Sequence, residues 1–175
     1  MSKRLSPFIL AAGALLMPLA QVAYSFSSSH QDSSMQASTT YLYLLRKTPF
    51  FTRLTTAQLR EVIAHSREWE VKPGTAIATS GDAARSVWIL LDGGWQVEAG
   101  GKVYPALHDQ PGKWYGRDAV YAAAQPSRLV VSQHSYVMQM TQTDFERLLA
   151  QGLDFQTHLA QGEQYYAEIL RINNF

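Results

Sequence analysis

At 175 residues the chain is long enough to bury one proper core and to carry short appendages. Hydrophobic residues make up 46% and charged residues 17%, a globular balance that excludes a disordered chain; a net charge of +1 gives nucleic acid no footing. There is no cysteine, which excludes disulfides, thiolate metal sites, thiol nucleophiles and lipidated cysteine.

The N-terminus carries Lys3 and Arg4 ahead of an apolar run, Leu5 to Ala23, with small residues at Ala23 and Ser25. This is the pattern of a secretory signal peptide over residues 1–25, with cleavage after Ser25 or Ala20, and it predicts an exported bacterial protein, periplasmic or secreted. The competing reading is an uncleaved anchor, the one way this chain would meet a membrane. Pro18 interrupts the run, and Phe8 to Met17 falls short of the roughly 20 residues a span requires. Removing residues 1–25 takes away two basic and no acidic residues, leaving 13 against 14 and a charge near −1.

Residues 26–40 are polar, Ser-rich and aperiodic, and read as a linker. Tyr41 to Arg46 is a short apolar segment closed by Thr48-Pro49. Thr55 then caps a helix that carries Leu59, Val62 and Ile63 on one face, with Gln58 as capping-box partner. From Trp69 to about Thr141 the chain reads as short strands divided by glycine: V-K-P-G-T-A-I-A-T-S-G-D at 71–82, S-V-W-I-L-L-D-G-G-W-Q-V-E at 86–98, P-G-K-W-Y-G at 111–116. Turn signals every 8–12 residues or so predict a mainly β fold, an antiparallel double-sheet β-roll of jelly-roll type, over residues 41–151. Helices flank it at both ends. Asp144 to Leu149 starts the second, Gly152 stops it, and residues 152–175 form an amphipathic tail carrying Leu159, Tyr166, Ile169 and Leu170. That tail either folds back on its own roll or pairs with a second copy in a homodimer.

Pro73-Gly74, Gly81-Asp82, the V-W-I-L-L-D-G run ending at Gly93, Pro111-Gly112 and Tyr115-Gly116 together resemble the cyclic-nucleotide-binding domain family, from about Leu44 to Leu149. The resemblance implies a β-roll whose ligand sits on one short segment. There a glycine and a glutamate open a small helix, the glutamate takes the ribose hydroxyl, and an arginine after a proline clamps the phosphate. The corresponding segment here is Y-G-R-D-A-V-Y-A-A-A-Q-P-S-R-L-V-V, residues 115–131. It implies a pocket of Gly116, Arg117, Asp118, Ala119 and Ser127, with Arg128 nearby.

Two positions depart from the family's pattern. Arg117 stands where the glutamate belongs, and a guanidinium cannot accept a hydrogen bond. Ser127 stands where the arginine belongs, and Arg128 comes one residue late. In a strand that offset turns Arg128 to the opposite face. Each loss is worth about 1.5–3 kcal/mol for a charged hydrogen bond, so together they weaken binding at least about a hundredfold. The expectation is a kept scaffold with cyclic-nucleotide binding lost. No helix-turn-helix follows before Phe175, so the family's DNA-binding half is not expected either.

Three functional readings follow. The first is a non-enzymatic ligand-binding or regulatory module for a small anionic ligand, with Arg117 as the attracting cation. The second is a protein–protein adaptor using exposed aromatics among Trp69, Trp95, Trp114, Tyr121, Tyr165 and Tyr166. The third is a cyclic-nucleotide sensor with a divergent cassette. No catalytic residue, cofactor or metal is predicted: His30, His65, His108, His134 and His158 form no HxH or HExxH pair. The alternation of His134, Tyr136, Met138 and Met140 suggests copper in an exported protein, but inward core packing of Tyr136, Met138 and Met140 is the better reading.

Overall fold

The structure is a computed structural model that describes residues 34–39, 42–117, 120 and 126–171. The expected signal segment at 1–25, the first part of the linker and Tyr121 lie outside the described residues. Two antiparallel sheets form the body. The first contains β1 (Met35–Ser38), β2 (Arg67–Val71), β9 (Ser135–Thr141), β4 (Ser86–Asp92) and β7 (Trp114–Tyr115), in that spatial order. The second contains β3 (Ala76–Thr79), β8 (Ser127–Val131), β5 (Gly94–Ala99) and β6 (Lys102–Leu107). This is the predicted double-sheet roll.

Helices close both ends: α1 (Leu42–Leu45), a 3-10 turn at Pro49–Phe51, α2 (Thr56–Ala64), a single turn α3 (Ser80–Ala83), α4 (Gln142–Ala150) and α5 (Gln156–Arg171). The capping box of α2 forms as read, with the Thr55 side chain accepting from the Gln58 N–H and Gln58 Oε1 accepting from the Thr55 N–H. Thr141 caps α4 with its side chain, accepting from the Asp144 N–H (3.0 Å), and Gly152 follows the helix with φ +83°. Gly81-Asp82, read as a turn between strands, is the single turn α3.

The linker expectation needs correction. Residues 35–38 are not a tether but the edge strand β1, paired with β2 from Met35↔Val71 to Ser38↔Glu68. Polar side chains hold it: Gln36 donates to Glu70 (2.8 Å) and Ser38 donates to Glu68 (3.0 Å). A four-residue edge strand that uses hydrogen-bonding side chains carries no hydrophobic alternation, so periodicity passes over it. The folded unit therefore begins ahead of residue 41.

The core fills the space between the sheets and under the helices. Trp95, Val97, Leu129, Val131, Met138 and Met140 are all buried, which bears out the core reading of the methionines; Tyr136 is half-buried. Phe50, Phe51, Phe145 and Phe155 form one aromatic cluster with ring centroids 5.0–5.9 Å apart, joining the 3-10 turn to α4 and to the start of α5. Several aromatics named above for an adaptor belong to this interior: Trp95, Trp114 and Tyr166 are fully buried, while Trp69 and Tyr165 are half-buried.

The tail helix α5 folds back on its own roll, burying Leu159, Tyr166, Ile169 and Leu170. Its seat is Trp114 of β7. The indole Nε1 donates to the carbonyl of His158 (2.9 Å), Tyr166 Oη donates to the carbonyl of Trp114, and Gly162 lies flush against the ring. Tyr165 and Tyr166 stack edge-on at 5.1 Å, and Tyr115 meets Tyr166 at 6.1 Å. Burial raises the hydroxyls of Tyr115 and Tyr165 to about 12 and that of Tyr166 well above its ordinary value.

Two outcomes follow from this seat. On helix propensity alone Gly162→Ala should stabilise by up to about 1 kcal/mol, but a Cβ there runs into the Trp114 indole, and overpacking costs about 1–3 kcal/mol. We expect a net loss, read as a lower urea midpoint at unchanged slope. The tyrosines set an alkaline limit: folded hydroxyls raised above the unfolded value favour the fold fully below about pH 10, and the benefit drains away as pH rises through about 12. The unfolding midpoint should fall across that window, and less steeply in Tyr115→Phe. A midpoint that stays flat there would show these hydroxyls ionising freely.

Candidate functional site

The cassette segment starts at Gly116, whose φ of +136° and close passage to the Ser86 carbonyl leave no room for a side chain: a Cβ would lie 2.6 Å from that oxygen. Arg117 follows in the left-handed region at φ +60°, a conformation costing a non-glycine residue about 1–2 kcal/mol. Its N–H donates to Ala83 (2.9 Å), and its carbonyl accepts from Val120 (3.1 Å), whose side chain is buried. The guanidinium lies over the Phe145 ring of α4, 5.6 Å from the centroid, and Nη1 is buried without a hydrogen-bond partner among the described residues. Arg117 thus braces the cassette against α4. Asp118 and Ala119 lie outside the described residues.

The segment ends on β8, where the one-residue offset has the predicted effect. Ser127 points inward and is buried; Arg128 points outward with 60% of its side chain exposed. The Ser127 hydroxyl shares a 3.0 Å hydrogen bond with Tyr115 Oη, and its N–H donates to Ser80 Oγ (3.3 Å). Arg128 Nε donates to Glu98 Oε2 at 2.6 Å, across the β5–β8 register that pairs Glu98 with Arg128. Gln96 donates to the other Glu98 oxygen (2.9 Å). The bonds from Gln96 and then Arg128 hold the Glu98 carboxyl below its usual range.

Beside this arrangement opens a cleft of about 510 Å³, walled by Thr79, Ser80, Glu98, Lys102, Ser127 and Arg128. Its end is the β5–β6 hairpin tip, Gly100 and Gly101, both at positive φ (+56° and +75°). Of the site residues read from the sequence, Ser127 and Arg128 line this cleft, whereas Gly116 and Arg117 do not. Thr79, Ser80, Glu98 and Lys102 were missed. The Gly100-Gly101 pair marks a hairpin tip, but only the strand order shows which strands it lies beside.

Other titratable side chains among the described residues meet partners of their own. His134 Nε2 meets Glu70 Oε1 (2.8 Å), and His65 Nδ1 meets Asp144 Oδ1 (3.3 Å). Burial pushes down the Lys113 amine and the His158 imidazole, both of which sit around the Trp114 seat. No group of three or more His, Asp or Glu side chains suited to a metal occurs among the described residues.

No protein-family model matches the chain, and the search of curated proteins finds no match. Solved structures do match it. A cAMP-dependent kinase regulatory-subunit domain (PKAR CBD2) bound to Sp-2Cl-cAMPS is 16% identical, with a TM-score of 0.55 over 75% of this chain and 89% of that one. A putative cyclic-nucleotide-binding protein from Geobacter metallireducens is 16% identical, with a TM-score of 0.55 over 76% and 99% of the two chains. The regulatory subunit of a cAMP-independent protein kinase A from Trypanosoma cruzi, bound to guanosine, is 19% identical with a TM-score of 0.54; the match covers 77% of this chain and 50% of that one. At these identities the likeness speaks for architecture alone, and what it establishes is that this chain has the cyclic-nucleotide-binding β-roll fold.

Proposed function

We propose that this protein is an exported, non-enzymatic ligand-binding or regulatory module on a cyclic-nucleotide-binding scaffold, and that cAMP and cGMP are not its ligands. The fold supports the module reading, because its structural neighbours are regulatory binding domains. Export rests on the basic and apolar N-terminus. The observation that carries the ligand reading is the buried Tyr115–Ser127 hydrogen bond, where the family pattern would put a phosphate-clamping arginine. The arginine one residue on, Arg128, is turned outward and held by Glu98. An inward-facing phosphate would meet two neutral hydroxyls already bonded to each other. The guanosine-bound Trypanosoma cruzi subunit supports a change of ligand on this fold, since it is described as independent of cAMP.

The adaptor reading keeps one observation of its own. Val103 and Leu107 stand 54% and 44% exposed on the edge strand β6, with exposed Pro105 between them. The open edge is blunted against strand addition: Leu107 N–H donates to Gln110 Oε1 (3.0 Å), and Pro105, on the same side two residues back, has no N–H to offer. A partner there would have to dock on side chains.

Titration calorimetry with cAMP and cGMP should show no saturable heat, meaning a Kd weaker than about 1 mM, or less than about 4 kcal/mol of binding. Micromolar binding of either nucleotide would end this reading in favour of a divergent sensor. For export, N-terminal sequencing of protein recovered from the cell envelope or medium should find a chain starting after Ala20 or Ser25. Recovery of intact chain from the cytosol would remove the export half.

A further inference from the structure

We propose that the cleft at the Gly100–Gly101 end of the second sheet binds a small organic anion, a carboxylate on an apolar body, with Lys102 as its charge partner. This rests on reading the chain as a binding module, and it moves the ligand's charge partner from Arg117 to the hairpin.

The charges around the cleft decide the sign of the ligand. Glu98 is the acidic group in its wall, and both its oxygens are engaged, one by Gln96 and one by Arg128. The Glu98–Arg128 pair therefore cancels within the wall. Lys102 is exposed and has no ion-pair partner among the described residues, so it leaves one uncompensated positive charge at the mouth. Arg117 does not serve here, because it is not in the wall of the cleft and its guanidinium lies over Phe145.

The remaining wall decides the rest of the ligand. Ala99, Val103 and Pro126 supply an apolar floor. Ser80 Oγ accepts the Ser127 N–H, so its own proton is free to donate to a ligand oxygen. Thr79 is not free in this way, since its hydroxyl donates to Asp82 (2.8 Å). Lys102 and Ser80 thus offer donors to the cleft, and about 510 Å³ holds a ligand of ordinary metabolite size. A carboxylate with an aliphatic or aromatic body matches this set.

The test uses the full chain and named probes: benzoate and hexanoate, their neutral amides, and cAMP, each titrated by thermal shift and calorimetry. The carboxylates should raise the melting temperature in a concentration-dependent way, and the amides should not. Lys102→Met should weaken carboxylate binding by about ten- to a hundredfold, the loss of one charged hydrogen bond, while Lys102→Arg should restore it. Arg128→Gln should weaken it too, by releasing the Glu98 charge into the wall. Lys102 is exposed at a hairpin, so these variants test binding without unfolding the roll. Carboxylates without effect, amides binding equally well, or a Lys102→Met variant that binds undiminished would each overturn the assignment. Should carboxylates and cAMP both fail, only this assignment falls; micromolar cAMP binding would bring down the proposed function itself.

Discussion

The structure depends on Trp114. One indole, on a strand only two residues long, joins the roll to its tail helix: its N–H reaches the His158 carbonyl, its backbone carbonyl receives Tyr166, and Gly162 clears the space for the ring. The next residue, Tyr115, sends its hydroxyl the other way, into Ser127. Two consecutive side chains therefore seat α5 and close the cassette. Each buries about 150–250 Å², worth at most about 4–6 kcal/mol apiece, which is comparable to the whole stability of a small domain. Among the described strands β7 pairs with β4 alone, at Trp88 and Ile89, so the strand would have little to hold it without the helix.

The same period-2 geometry that builds the sheets decides which way the side chains at the end of the cassette segment point. Moving an arginine by one residue, from position 127 to 128, leaves the composition untouched and reverses its face. Outside, Arg128 finds Glu98 through the strand register and becomes part of the wall. Inside, Ser127 is small enough for Tyr115 to reach it and close the space with a neutral hydrogen bond. A guanidinium at 127 would have to displace that bond and enter a buried position without a partner, a change costing several kcal/mol unless an anion came with it.

Much of the fold was legible because it rests on strong local signals. Glycine at the turns, alternating apolar residues in β4, the Thr55–Gln58 capping box and the Gly152 stop all appear where the sequence puts them. So does the outward turn of Arg128. β1 was not legible, since its pairing depends on Gln36 and Ser38 meeting glutamates some 30 residues away, and no window of sequence contains both partners. Arg117 was legible as a departure but not in its destination: the stacking on Phe145 needs α4 to be placed first. Trp114 and Tyr166 stood only as candidates for exposed aromatics, and their burial follows from the tail folding back on β7, one of the two courses the sequence leaves open for it.

These displacements share one direction. In the family's pattern an acidic and a basic group stand at the inner end of the pocket. Here Ser127 and Tyr115 make that end neutral, Arg117 is drawn off to α4, and the charges of Glu98, Arg128 and Lys102 gather around the hairpin end. Polarity has moved from the interior of the roll to its mouth. A charged ligand is best desolvated where the protein already holds an uncompensated opposite charge, and burying it beside neutral, mutually bonded hydroxyls gains nothing in return. On the assignment proposed for the cleft, a ligand presents its charge to the rim and its apolar part to Ala99, Val103 and Pro126, the reverse of an arrangement built to swallow a phosphate.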